Sequence, residues 1–213
     1  MQYYGRVATK MSSNSYAVLG MLALRPWTPY ELTQQFLRSL SWCWPVSERL
    51  LYTEPERLVA GGLAEIRVHD DGTRSRRQYS ITEAGRQALQ EWLATDPAPP
   101  KIFNEPLLRI LFADQGDTAD LLDSLDSLRT HVSEQLIAGR AQTREYLEDR
   151  GPFPARAHLI ALFADLNNRI FTAFEEWAEE SIRQVSTWPT TRDLGSTAAT
   201  MELLQKVAGQ PVQ

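Results

Sequence analysis

Between Leu63 and Ile81 the apolar residues of this chain alternate, whereas on either side they recur every three or four positions. A chain patterned in this way must set one β-hairpin among helices. In LAEIRVH, Ile66 and Val68 alternate with Glu65, Arg67 and His69; in RQYSI, Arg77, Tyr79 and Ile81 alternate with Gln78 and Ser80. DDGTRS lies between them with Gly72 in its turn, and the glycine pair Gly61 and Gly62 closes the helical stretch before them.

Three helices are expected ahead of the hairpin and one after it. SYAVLGMLAL, residues 15 to 24, is apolar almost all round and reads as a helix buried on several sides. TPYELTQQFLRSL opens with Thr28 as N-cap, Pro29 at the first helical position and Glu31 as the capping-box partner; Leu32, Phe36 and Leu40 then mark its core face. In SERLLYTEPERL, Ser47 is the N-cap and Leu51 and Leu58 face inward, which puts Arg49, Thr53 and Glu56 on the outer face, flanked by Tyr52. Pro55 lies within this third helix, where it removes one backbone hydrogen bond and predicts a bend or a restart near Thr53. Thr82 caps the helix EAGRQALQEWLA that follows the hairpin.

DPAPP, residues 96 to 100, is too rich in proline for a regular element and marks a linker. Beyond it the chain reads as helical throughout. TADLLDSLDSLRTHVSEQL carries Leu121, Leu125, Leu128, Val132 and Leu136; after Gly151, Pro152 and Pro154, a last long helix from about Ala155 to Val185 carries Leu159, Phe163, Leu166, Ile170, Phe174 and Trp177. A two-helix hairpin is too thin to bury both stripes, so a second copy of the chain is the economical cover for this apolar face. The expected organisation is a mixed domain over 12–95, a helical dimerisation domain over 101–188, and a polar tail over 189–213 that is either a short helix or disordered.

Composition narrows the functional classes. The 213 residues are 43% hydrophobic and 23% charged, as in soluble globular proteins. No apolar run approaches the roughly 20 residues of a membrane span, and the N-terminal stretch lacks a signal peptide's apolar core, so a cytoplasmic protein without a membrane partner is expected. One cysteine, Cys43, excludes an internal disulfide, and three scattered histidines give no metal cluster, so no cofactor or metal is expected. The net charge of −5 is unevenly spread: residues 1–95 hold 11 Lys+Arg and 9 Asp+Glu, and the remainder 11 and 18. A mildly basic head thus precedes an acidic body. Neither a nucleophile elbow, a phosphate loop nor paired catalytic carboxylates occur in a supporting context, and the chain does not read as an enzyme.

Residues 15–94 resemble the winged helix-turn-helix domain of PadR-type transcriptional regulators. The marks are LGMLAL in the first helix, YEL in the second, VS and LLY in the third, the RL and GL that close it, and RQYSITEAGR after the wing. Residues 104–183 more loosely resemble the virulence-activator-like helices by which that family dimerises. In the family pattern proline directly follows the tyrosine and a leucine stands at the position of Pro55, so TEP is a departure that bears on the axis of the third helix.

A third helix of this kind fits the major groove. The residues expected to meet DNA there are Ser47, Arg49, Tyr52 and Thr53; the resemblance implies that Tyr52 contacts a phosphate, and that Tyr30 and Tyr16 touch the backbone. In the wing, Arg74, Arg76 and Arg77 are placed to bind phosphate or enter a narrow minor groove, with Asp70 and Asp71 beside them. Glu48, Glu54 and Glu56 oppose phosphate and must lie at the edges of such a complex. Trp27, Trp42, Trp44, Trp92 and Trp177 read as packing anchors, and a small aromatic effector is implied by the resemblance alone. The expected function is a dimeric repressor of a pseudo-palindromic operator in double-stranded DNA, the alternative being a winged-helix adaptor that binds protein and not DNA.

Overall fold

The computed structural model describes residues 11–70, 75–102 and 104–209. It divides into two compact units, Met1–Pro100 and Lys101–Gln213. The first unit runs α1 (Ser13–Leu22), α2 (Pro29–Ser39), α3 (Glu48–Ala60), β1 (Ala64–Asp70), β2 (Ser75–Ile81) and α4 (Glu83–Leu93), the order of elements that the periodicity predicts.

Side chains at the N-caps fix where these helices begin. Thr28 Oγ1 accepts from the Glu31 amide at 3.2 Å while Glu31 Oε2 accepts from the Thr28 amide at 2.9 Å, completing the capping box. Ser47 Oγ accepts from the Leu50 amide at 3.3 Å, and Thr82 Oγ1 from the Gly85 amide at 3.1 Å. Each such cap contributes about 1 kcal/mol. Val18, Leu19, Leu22, Leu32, Phe36, Leu51 and Leu58 then close the core between α1, α2 and α3.

Helix α3 continues through Pro55 to Ala60, so the chain does not restart near Thr53. The proline ring is fully buried. Its apolar contact offsets part of the cost of the missing N–H, about 3 kcal/mol in a helix interior.

The hairpin is antiparallel, pairing Ala64 with Ile81 at its base and Asp70 with Ser75 at its outer end; the DDGTRS turn lies mostly outside the described residues. A third short segment joins it, since Trp27 N donates to Tyr79 O at 3.0 Å and Tyr79 N to Trp27 O at 2.8 Å. Ala64, Tyr79 and Ile81 are buried, but Ile66 and Val68 are exposed despite their apolar alternation. The outer half of the ribbon extends past the helices and has no core of its own to enter.

The second unit contains α5 (Glu105–Leu111), α6 (Thr118–Leu147), α7 (Ala157–Val185) and α8 (Ala198–Val207). Helices α6 and α7 form an antiparallel pair. Leu121 and Leu125 of α6 meet Val185 and Ile182 of α7, and Leu128, Val132 and Leu136 meet Phe171 and Phe174. After α7 the chain returns to the turn before α6, where Arg192 Nε donates to Asp114 O at 2.8 Å and Thr191 Oγ1 to Gly116 O at 3.1 Å, and then forms α8. Among the described residues no helix is long and apolar enough to cross a membrane.

Candidate nucleic-acid interface

The position of α2 relative to the hairpin is set by Trp27. Besides its two backbone bonds to Tyr79, its indole Nε1 donates to Met21 O at 2.7 Å, and the Arg25 guanidinium lies over its ring at 3.6 Å from the centroid. The buried indole therefore locks the end of α1 to the ribbon. Thr28 follows directly, so the first turn of α2 begins beside β2.

That arrangement creates an open concavity of about 560 Å³ lined by Thr28, Pro29, Tyr30 and Glu31 of the α2 start, Tyr52 of α3, and Arg76 and Arg77 of β2. Four of the residues expected to meet DNA, Tyr30, Tyr52, Arg76 and Arg77, come from three separate elements and share this surface. Tyr30 is 65% exposed and Tyr52 43%. Phenol hydroxyls and guanidinium groups around one concavity form a donor set suited to phosphate oxygens.

Ser47, Arg49 and Thr53 are also exposed on the first two turns of α3. Thr53 Oγ1 donates to Arg49 O at 3.0 Å. Its only hydroxyl proton is thereby engaged, so outward it offers oxygen lone pairs and a methyl group. Ser47 accepts from its own helix and retains its proton to donate outward. The helix end can thus present a donor at Ser47, a cation at Arg49 and an acceptor at Thr53. Arg74 lies outside the described residues.

The three glutamates of α3 have separate fates. Glu54 is not on the outer face at all: it is 3% exposed, and its carboxylate accepts from Ser15 Oγ at 2.5 Å and from Arg57 Nη1 at 2.9 Å. Glu56 is exposed on the outer face, and burial first, then the charge of the Glu56 carboxylate, pushes the Tyr79 phenol above its ordinary range. Glu48 remains exposed in the first turn, where a carboxylate favours the helix dipole. Spacing alone puts Glu54 on the helical face that carries Leu51 and Leu58, but it does not reveal the Ser15 partner on α1 that accommodates the carboxylate there.

Arg67 is held on the ribbon by Glu65 at 2.8 Å, which also accepts from Ser80 at 3.2 Å. These bonds, chiefly the one from Arg67, keep the Glu65 carboxyl below the usual carboxylate range. Tyr16 stacks on Trp92 with ring centroids 4.8 Å apart, a packing contact between α1 and α4.

In the second unit, Leu159, Phe163, Leu166, Ile170 and Trp177 are exposed along α7, together with Leu162. Phe174 differs from the other residues expected at a subunit contact, since it packs on Leu128, Val132 and Leu136 of α6. No group of three or more His, Cys, Asp or Glu able to hold a metal occurs among the described residues.

The transcriptional regulator PadR-like family model matches residues 18–91. A negative transcriptional regulator, PadR of Bacillus subtilis (strain 168), is 29% identical over 125 residues, covering 56% of this chain and 69% of that protein. The crystal structure of Bacillus subtilis PadR in complex with operator DNA superposes with a TM-score of 0.70 at 21% identity, over 82% of this chain and 98% of that one. The structure of that protein in complex with p-coumaric acid gives a TM-score of 0.61 at 20% identity, over 82% and 99%. At these identities the structural matches establish a shared mainly helical, winged-helix fold.

Proposed function

We propose that this chain, whose residues 18–91 are a domain of the PadR-like transcriptional regulator family, is a dimeric repressor that binds a pseudo-palindromic operator. The observation that carries the DNA-binding reading is the shared concavity of Tyr30, Tyr52, Arg76 and Arg77 beside the exposed start of α3. The N-terminal turns of α3 enter the major groove with Ser47, Arg49 and Thr53 toward base edges, while Tyr30, Tyr52 and the wing arginines, Arg74 included, take phosphates on either side.

The dimer contact is assigned to the apolar stripe of α7. Leu159, Phe163, Leu166, Ile170 and Trp177 lie on the helix that α6 only partly covers, and a second copy offers a matching stripe by symmetry. Phe174 supports that face from within through its packing on α6. Two joined copies bring two heads to half-sites about one helical turn apart, roughly 34–36 Å.

A small aromatic effector is a further part of this reading, supported by the p-coumaric acid complex of the Bacillus subtilis protein. Such a ligand releases the operator only by binding more tightly to a state whose heads fit DNA poorly. The test is fluorescence anisotropy with the full chain and labelled duplex from the promoter next to its own gene. A repressor binds that duplex more tightly than random duplex of equal length at low and at moderate salt; equal affinity at both overturns the reading.

A further inference from the structure

Glu31 lines the same concavity as Tyr30, Tyr52, Arg76 and Arg77, and is its one acidic member among the described residues. Its Oε2 is occupied by the cap, accepting from the Thr28 amide and from Thr28 Oγ1, each at 2.9 Å. Its Oε1 faces Arg25 Nη1 at 3.9 Å. The side chain is 41% exposed, so the charge acts on the concavity and is not sealed beneath it. The Thr28 amide above all, with the charges of Arg25 and Arg76 adding to it, keeps the carboxyl below the ordinary carboxylate range. It is therefore anionic wherever DNA binding is measured near neutral pH.

We propose that Glu31 is an affinity-limiting residue of the DNA-binding surface, its carboxylate competing with backbone phosphate for the guanidinium groups of Arg76 and Arg25. This inference rests on the DNA-binding reading above and adds to it a named internal competitor. A phosphate entering the concavity must share Arg76 with Glu31 and approach a fixed negative charge. Both effects weaken binding without regard to base sequence, since they act on the part of the binding energy that arises from phosphate neutralisation and counterion release. The capping box and the charge are separable: glutamine at this position retains an oxygen to accept both bonds from Thr28 and lacks the charge.

The experiment compares the full-length wild type with Glu31→Gln and Arg76→Ala, singly and combined, on the promoter duplex and on random duplex across a potassium chloride titration. Thermal unfolding of each variant reports whether the cap survives. Glu31→Gln is expected to fold natively, somewhat less stable than the wild type, and to bind both duplexes about two- to fivefold more tightly at low salt, the size of an exposed ion pair. Its salt dependence should steepen, and the increase in affinity should shrink in the Arg76→Ala background. A natively folded Glu31→Gln that binds no more tightly than wild type overturns the assignment and leaves the DNA-binding reading standing. If neither protein binds either duplex at low salt, both fall together.

Discussion

Ser15 Oγ, on α1, donates to Glu54 Oε1, on α3, at 2.5 Å in a buried setting. Ser12 Oγ lies 3.0 Å from Ser15 Oγ, and Arg57 Nη1 donates to the other Glu54 oxygen at 2.9 Å, so a polar chain runs from the start of α1 into the middle of the helix assigned to the major groove. The carboxylate is tolerated in the core because hydrogen bonds and one cation satisfy both oxygens. Replacing Glu54 by alanine leaves Ser15 without this acceptor and should cost about 1–3 kcal/mol. Urea unfolding measures that loss, and Glu54→Gln, which keeps an acceptor for Ser15, should lose less.

Gly85 shows a steric requirement of a different origin. A Cβ there would lie 2.1 Å from Leu63 O and 2.8 Å from Ile81 Cγ1, because the first turn of α4 is drawn against the base of the hairpin. Gly85→Ala should lower the unfolding midpoint by an amount equivalent to about 1–3 kcal/mol, the usual penalty of overpacking. Gly20, within α1, has nothing within 4 Å of its would-be Cβ. Gly20→Ala should stabilise by about 0.5–1 kcal/mol, since alanine loses less backbone entropy in a helix.

The wing arginines can be tested apart from the fold. Arg76 and Arg77 are exposed, so their replacement by alanine should leave thermal unfolding nearly unchanged. DNA binding should weaken on operator and random duplex alike, and the slope of log K against log salt should flatten by about 0.9 for each phosphate that is no longer neutralised. Retained affinity with an unchanged slope would favour the adaptor that binds protein instead.

Leu166, 50% exposed on α7, lies on the stripe proposed above as the dimer contact. Leu166→Asp should shift sedimentation equilibrium from dimer to monomer while helicity by circular dichroism stays near the wild-type value. Leu128→Ala, on the buried α6 face, should instead cost about 2–5 kcal/mol of folding stability.

Acid should loosen the start of α2. Glu31 has a folded pKa depressed below the ordinary 4.5, chiefly by the Thr28 amide, so its contribution to stability is complete above that value and is lost as pH falls through the depressed one. The stability difference between wild type and Glu31→Gln should therefore be constant near neutral pH and diminish only below about pH 4.5. A difference that changes between pH 6 and pH 8 would show another group at work.

The features legible in the sequence alone are local ones. Thr28, Ser47 and Thr82 announce their helices because a capping hydrogen bond closes within three residues. The alternation from Leu63 to Ile81 declares a hairpin because side-chain direction in a strand has period two. The outward placement of Arg49, Tyr52 and Thr53 follows from helical geometry once Leu51 and Leu58 face inward. Relations between distant elements were not legible in this way. That Trp27 pairs with Tyr79, that Glu54 reaches Ser15, and that Glu31 joins Arg76 in one concavity depend on how α1, α2, α3 and the hairpin pack. Exposure of Ile66 and Val68 has the same origin, because a strand's pattern gives the face of a side chain but not whether another layer covers it. Periodicity fixes direction around one element; only tertiary packing brings particular partners within hydrogen-bonding distance.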